Sequence, residues 1–274
     1  MPCGNVTHRV PASSEAGTLF AVPSPHSQEE QRRLMSAVFQ LGPGVAAGFT
    51  RRYDGGVSAA PFDTLNLSSG VSDDHTAVER NRQDAAARLG FDSGRVVWMD
   101  QVHGADVAVV TAPGVAPRVD GIVTTRDDLV LAALAADCLP ILGADPDAGV
   151  LGAAHSGRAG TLAGIAPRLV EAMVNQGARE SRITVALGPA ICGRCYEVPE
   201  WMRDEMAERL PQGAGRTSVG TASIDLRAAV TAQFEECGVH NVVVDRRCTL
   251  EDPDLFSHRR TGMTGRFAGY IWWC

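Results

Sequence analysis

Three short segments each carry a side chain that can hold a metal or act on a substrate. They are Gln101-Val102-His103-Gly104, Ala136-Asp137-Cys138-Leu139-Pro140 and Ala153-Ala154-His155-Ser156-Gly157. His103 and Cys138 lie 35 residues apart, and Cys138 and His155 lie 17 apart. Local spacing therefore proves nothing. Taken singly, a histidine after a strand is more often structural, and a cysteine is more often a small buried hydrophobe. Together they suggest one site, because strand ends in α/β folds commonly meet at one edge where ligands bind. Two imidazoles and a thiolate suit zinc, and three protein ligands leave the open position that marks a catalytic centre. The same donors suit copper. A metal-free alternative uses Cys138 as nucleophile with His155 or His103 as its base. Asp137 is a neighbouring carboxylate that reads as a buried partner of an arginine or a backbone group, or else could orient a ligand histidine.

All 25 basic residues are arginine, so Schiff-base and P-loop lysines are excluded and anions fall to arginine, backbone N–H groups or a metal. Arg52, Arg259 and Arg260 are the candidate anion handles. The Cys192-Gly193-Arg194-Cys195 pair has redox or half-zinc-site spacing. Without a second CxxC to complete it, it reads as two unpaired thiols on a loop.

These residues need a frame. Residues 1–40 are rich in Pro, Ser and Glu and weakly periodic, and read as a loose N-terminal extension with one helical turn near Glu29–Phe39. Residues 41–274 read as a single catalytic domain. Short apolar runs at Val96–Trp98, Val107–Val110, Gly121–Thr124, Val130–Ala135 and Gly149–Ala154 predict strands buried on both faces, and Val45–Thr50, Ile183–Leu187, Asn241–Val244 and Arg266–Trp273 predict further strands. Helices are expected over Thr76–Leu89, Thr161–Asn175, Pro199–Leu210 and Asp225–Cys237, and a loop over Arg216–Ala222. The class is α/β, a compact mixed-sheet sandwich covered by helices. A net charge of -7 argues against a nucleic-acid surface. The most apolar run, Leu129 to Ala144, is broken by Asp137 and Pro140 and is too short to span a membrane. With no signal-peptide pattern and an odd count of seven cysteines, a cytoplasmic protein with reduced thiols is expected.

The same motifs, with Gly55-Gly56-Val57-Ser58, Leu65-Asn66-Leu67, Leu187-Gly188-Pro189-Ala190-Ile191 and Phe256-Ser257-His258-Arg259-Arg260, resemble the signature set of the YfiH-like, polyphenol oxidase laccase-domain family, which includes the human protein FAMIN. The resemblance spans about residues 45–273 in order. It implies a YfiH-like fold related to the cysteine-hydrolase-like domain of a deamidase toxin. It implies a zinc-dependent purine nucleoside phosphorylase acting on adenosine, inosine, guanosine and methylthioadenosine, with adenosine deaminase activity. The older laccase label implies copper-dependent phenol oxidation instead. By resemblance the metal ligands are His103, Cys138 and His155. Asp137 joins them as a catalytic candidate, and Arg52, Asn66, Arg259 and Arg260 are the candidates for substrate and phosphate. The expected partners are purine nucleosides and phosphate, acted on by a monomer. The chain departs from the family's HAGWRG pattern, reading His155-Ser156-Gly157-Arg158-Ala159-Gly160.

Overall fold

The computed structural model describes residues 38–274. Most of the expected N-terminal extension, with nearly all of its helical turn, lies outside the described residues. Fourteen strands follow in chain order: β1 (Phe39–Gly42), β2 (Val45–Phe49), β3 (Val96–Met99), β4 (Val107–Val109), β5 (Gly114–Ala116), β6 (Gly121–Thr124), β7 (Val130–Ala135), β8 (Leu139–Asp145), β9 (Val150–Ser156), β10 (Thr184–Leu187), β11 (Ala214–Arg216), β12 (Ala222–Ile224), β13 (Asn241–Val244) and β14 (Phe267–Trp273). They form two six-stranded mixed sheets, β1-β2-β14-β7-β3-β5 and β13-β10-β8-β9-β6-β4, and a β11–β12 hairpin.

The sheets face each other. Phe49, Leu131 and Ile271 of the first pack with Ile122, Leu142 and Leu151 of the second. Helix α1 (His75–Leu89) covers the outer face of the first sheet, with Ala85 and Ala86 in one cluster with Val130, Tyr270 and Trp272. On the outer face of the second, α3 (Ile165–Asn175) and α5 (Leu226–Glu236) bring Leu169, Met173, Val230 and Phe234 against Ile141 and Val185. The expected α/β sandwich is thus a four-layer one. It explains the unalternating apolar runs, since both faces of the central strands are covered. Leu131, Leu142 and Ile271 are wholly buried, each contributing about 1.5–3 kcal/mol of burial.

Local signals set the boundaries. Asp74 caps α1 by accepting from the Ala77 N–H at 2.9 Å, and Gly90 ends it at φ 89°; such an N-cap contributes about 1 kcal/mol. The helix expected over Thr161–Asn175 is two, α2 (Arg158–Leu162) and α3, because Gly164 at φ 83° breaks the run. Pro199 precedes α4 (Glu200–Arg209). The Arg216–Ala222 loop is the tip of the β11–β12 hairpin.

Strand β8 does not show in the sequence, where Asp137 and Pro140 read as breaks. The chain does break there, because β7 belongs to one sheet and β8 to the other. Asp137 makes the crossing at φ 92°. Pro140 sits near the start of β8, paired in register with His155 of β9. This crossing puts Cys138 beside His155.

Candidate active site

The loop after β3 carries His103, the crossing between sheets carries Cys138, and β9 carries His155. The Gln101 side chain pins the first loop to β7, donating to the Leu134 carbonyl at 3.0 Å and accepting its N–H at 2.9 Å. One donor atom from each of His103, Cys138 and His155 lies within 4.8 Å of the others. The imidazoles meet edge to face at 4.8 Å. Gly157 allows this approach, since a Cβ there would lie 3.0 Å from His103 Cδ2 and 3.1 Å from Cys138 Sγ.

Asp120, just before β6, organises the cluster. His155, 3% exposed, donates from Nδ1 to Asp120 Oδ1 at 2.8 Å, which leaves Nε2 for the site. Asp120 is 0% exposed and also accepts the backbone N–H groups of Val102, His103 and Gly104 at 3.1, 3.0 and 2.7 Å. His103 has φ 62°, a left-handed turn that helps aim three consecutive N–H groups at one carboxylate. One buried anion thus fixes the loop of the first histidine and the tautomer of the second. Burial alone would raise the Asp120 carboxyl, but the bonds from His155, Gly104 and Val102 outweigh it and hold it below the usual range.

The thiol and imidazole polarise each other. Burial pushes the Cys138 thiol up, yet the charge of His155 and bonds from both histidines bring it down to about 6. Burial pushes His155 down, yet Cys138 and Asp120 raise it to about 9. Between those values the pair holds one proton, on the imidazole. A metal needs thiolate and neutral imidazole, so binding displaces that proton. Counting this pair alone, affinity for a metal ion should rise about tenfold per pH unit between about pH 6 and 9, steepen below 6 and level off above 9. Competition against a chromophoric chelator across that range checks the slope, and a flat profile would contradict the protonation scheme.

The cluster lies in a cleft of about 860 Å³. Trp98, Leu134, Ile191, Tyr196 and Leu226 are among its apolar walls, and Arg82, Arg259 and Arg266 line it as cations. Arg82 stacks on Trp98 at 4.1 Å and pairs with Glu79. Arg259 lies over Tyr196 at 5.2 Å and donates to the Glu197 carbonyl at 2.7 Å. Arg266 donates to the carbonyls of Thr264 and Gly265 at 2.8 and 3.0 Å. Among the described residues neither Arg259 nor Arg266 forms a carboxylate salt bridge, so their charge is left to the cleft. Burial lowers the Arg266 guanidinium from its ordinary value, with Cys138 and Asp137 pulling the other way.

The other candidates from the sequence sit elsewhere. Arg52 forks onto Asp63, both guanidinium contacts 2.9 Å, and is not part of the cleft lining. Arg260 is committed to the carbonyls of Thr249, Leu250, Asp252 and Leu255, and does not line the cleft. Asn66 is wholly buried behind the wall; its Oδ1 accepts the N–H groups of Ser68 and Arg266, two residues that do line it. Asp137 lines the cleft, but its carboxylate accepts from Thr249 Oγ1 at 2.6 Å and the Arg259 N–H at 2.7 Å. The residue that orients a ligand histidine is Asp120. Sequence reasoning missed Asp120 and Arg266. Each directly precedes an apolar strand, β6 and β14, which is the one local signal available.

Comparison with known proteins bears on the family and the fold. The family model described as multi-copper polyphenol oxidoreductase laccase matches residues 46–274. A Streptomyces coelicolor protein named purine nucleoside phosphorylase is 53% identical over 232 residues, covering 84% of this chain and 96% of the relative. The crystal structure of YlmD from Geobacillus stearothermophilus superposes with a TM-score of 0.80 at 37% identity, covering 86% of this chain and 94% of that one. That of the hypothetical protein YfiH from Bacillus licheniformis gives 0.78 at 31%, covering 84% and 93%. By sequence and by fold, the chain belongs to the laccase-like family of YfiH and YlmD.

Proposed function

We propose that this chain is a zinc-dependent purine nucleoside phosphorylase for adenosine, inosine, guanosine and methylthioadenosine that also deaminates adenosine. The observation that carries the reading is one cleft holding both a three-donor His103–Cys138–His155 cluster and two arginines without carboxylate partners. The name carried by the Streptomyces relative, purine nucleoside phosphorylase, supports the phosphorolytic part of this reading. The cleft volume falls within the about 300–1,000 Å³ of small-molecule sites.

The residues fit zinc. The donors converge within 4.8 Å, the thiol titrates low enough to ligate at neutral pH, and the Asp120 contact presents His155 Nε2. Zinc there supplies Lewis-acid chemistry to the cleft. The protein's own part is binding and orientation. Arg266 and Arg259 hold phosphate by charge-assisted hydrogen bonds beside the ribose, so that an oxygen can reach C1′. The apolar walls, with Leu134, Ile191 and Leu226, exclude water from the glycosidic bond.

The family description favours one rival, copper-dependent phenol oxidation, since the donor set also takes copper. A full multicopper centre needs many histidines, and the chain has seven in total. A metal-free Cys138–His hydrolase is the other alternative. Metal analysis and chromatography of adenosine incubated with and without phosphate separate the three. Free base with ribose 1-phosphate marks phosphorolysis, and inosine alone marks deamination. His103→Ala and Cys138→Ala should each abolish turnover and zinc at this site. No nucleoside turnover by zinc-loaded protein would sink the proposal, and turnover without metal would favour the hydrolase.

A further inference from the structure

In the folded chain the CxxC pair lies beside two further donors. Cys192, Cys195, Cys248 and Glu251 bring one donor atom each to within 4.8 Å of one another. We propose that these four residues form a second metal site, a structural zinc centre that clamps two loops behind the cleft wall.

The two halves have the same construction. Cys192 and Cys195 stand three residues apart in a turn closed by the Cys195 N–H on the Cys192 carbonyl at 2.9 Å. Cys248 and Glu251 stand three apart in a turn closed by the Glu251 N–H on the Cys248 carbonyl at 3.2 Å. The motif is therefore CxxC followed by CxxE, and its second half escapes a search for paired cysteines. The halves are docked by an isolated bridge between Ala190 and Cys248. The Cys192 N–H donates to Cys248 Sγ at 3.4 Å, and Cys195 Sγ reaches Glu251 Oε1 at 3.3 Å. All three thiols are free.

The donors select the metal. A tetrahedral zinc with bonds of about 2.3 Å to sulfur sets ligand–ligand edges of about 3.8 Å, and the four donors already lie within 4.8 Å of one another. Three soft thiolates favour zinc over calcium or magnesium. Four protein donors close the shell, which marks a structural centre and separates it from the open three-donor site. None of the four lines the cleft, but their neighbours serve it. Ile191 and Tyr196 form part of its wall, and the Thr249 hydroxyl donates to Asp137 at 2.6 Å. A metal here would hold both segments in place.

The test is zinc per chain after purification under reductant. Cys192→Ser with Cys248→Ser should carry one equivalent fewer than its parent, while Cys138→Ala should keep that equivalent. Cobalt-loaded Cys138→Ala should show an intense thiolate charge-transfer band. Because the double serine variant could misfold, Glu251→Gln, on an exposed residue, provides the milder probe. It should fold normally and lose about tenfold or more in zinc affinity by chelator competition. The proposal does not depend on nucleoside chemistry: if the first site takes no zinc, the parent carries one equivalent and the same variants remove it. Parental zinc in the double serine variant would overturn it. So would parental affinity in folded Glu251→Gln, a Cys138→Ala protein without zinc or cobalt band, or a metal-free chain lighter by two hydrogens, the mark of a disulfide.

Discussion

Asp120→Asn should cost the protein both stability and its candidate metal centre, although Asp120 does not line the cleft. Oδ1 accepts from the His103 N–H and His155 Nδ1, and Oδ2 from the N–H groups of Val102 and Gly104. An amide fits neither way round. Whichever oxygen becomes NH2, two donors then face a donor. Each stranded donor costs about 1–3 kcal/mol, so NH2 toward Val102 and Gly104 costs about 2–6 kcal/mol. NH2 toward His155 strands only the His103 N–H, because Nδ1 can give up its proton and accept. Stability should fall by about 1–3 kcal/mol in this cheaper orientation. With NH2 toward His155, the imidazole must carry its proton on Nε2, pointing into the site. Zinc affinity should fall about 10–100-fold. Thermal unfolding and chelator competition read the two effects separately. His155→Ala is the control: it removes a ligand but leaves Asp120 its three backbone donors, so it should lose zinc with a smaller loss of stability. Parental zinc affinity in Asp120→Asn would confine Asp120 to holding the loop.

The cluster was legible in the sequence because imidazole and thiol are chemically distinctive, and each lies at or just beyond an apolar run. Asp120 was not, because its role rests on backbone N–H groups of residues 102–104, which carry no side-chain signature. The arginines show the same limit. Arg52, Arg259, Arg260 and Arg266 look alike in the sequence, yet Arg52 is neutralised by Asp63 and Arg260 is consumed by carbonyls. What separates them is where each guanidinium's partners lie, and that is set by long-range packing. The fold class followed from the alternation of apolar runs and capped helices. Strand β8 did not, because a chain that changes sheets needs a break at Asp137, and a break reads locally as an end. The CxxC was half visible, since its complement ends in glutamate.

Arg266→Met should separate phosphate chemistry from the rest of the site, on the proposed reading. Hydrogen bonds to the Thr264 and Gly265 carbonyls hold the guanidinium in place without cancelling its charge, and Asn66 accepts its backbone N–H at 2.9 Å. Burial disfavours that charge, so an anion in the cleft recovers more from it than from a solvated arginine. Removing one partner of a desolvated charge pair costs about 2–5 kcal/mol. The middle of that range is about 10²–10³-fold in kcat/KM for phosphate. Arg259 is exposed, so Arg259→Met should lose only about tenfold. Arg52→Met should leave the phosphate KM unchanged and lower stability through Asp63 instead. Adenosine deamination uses no phosphate and should fall far less than phosphorolysis in Arg266→Met, with zinc content unaltered. A parental phosphate KM in Arg266→Met would remove it from the anion site. Equal losses in both reactions would mean that it shapes the cleft and does not hold phosphate.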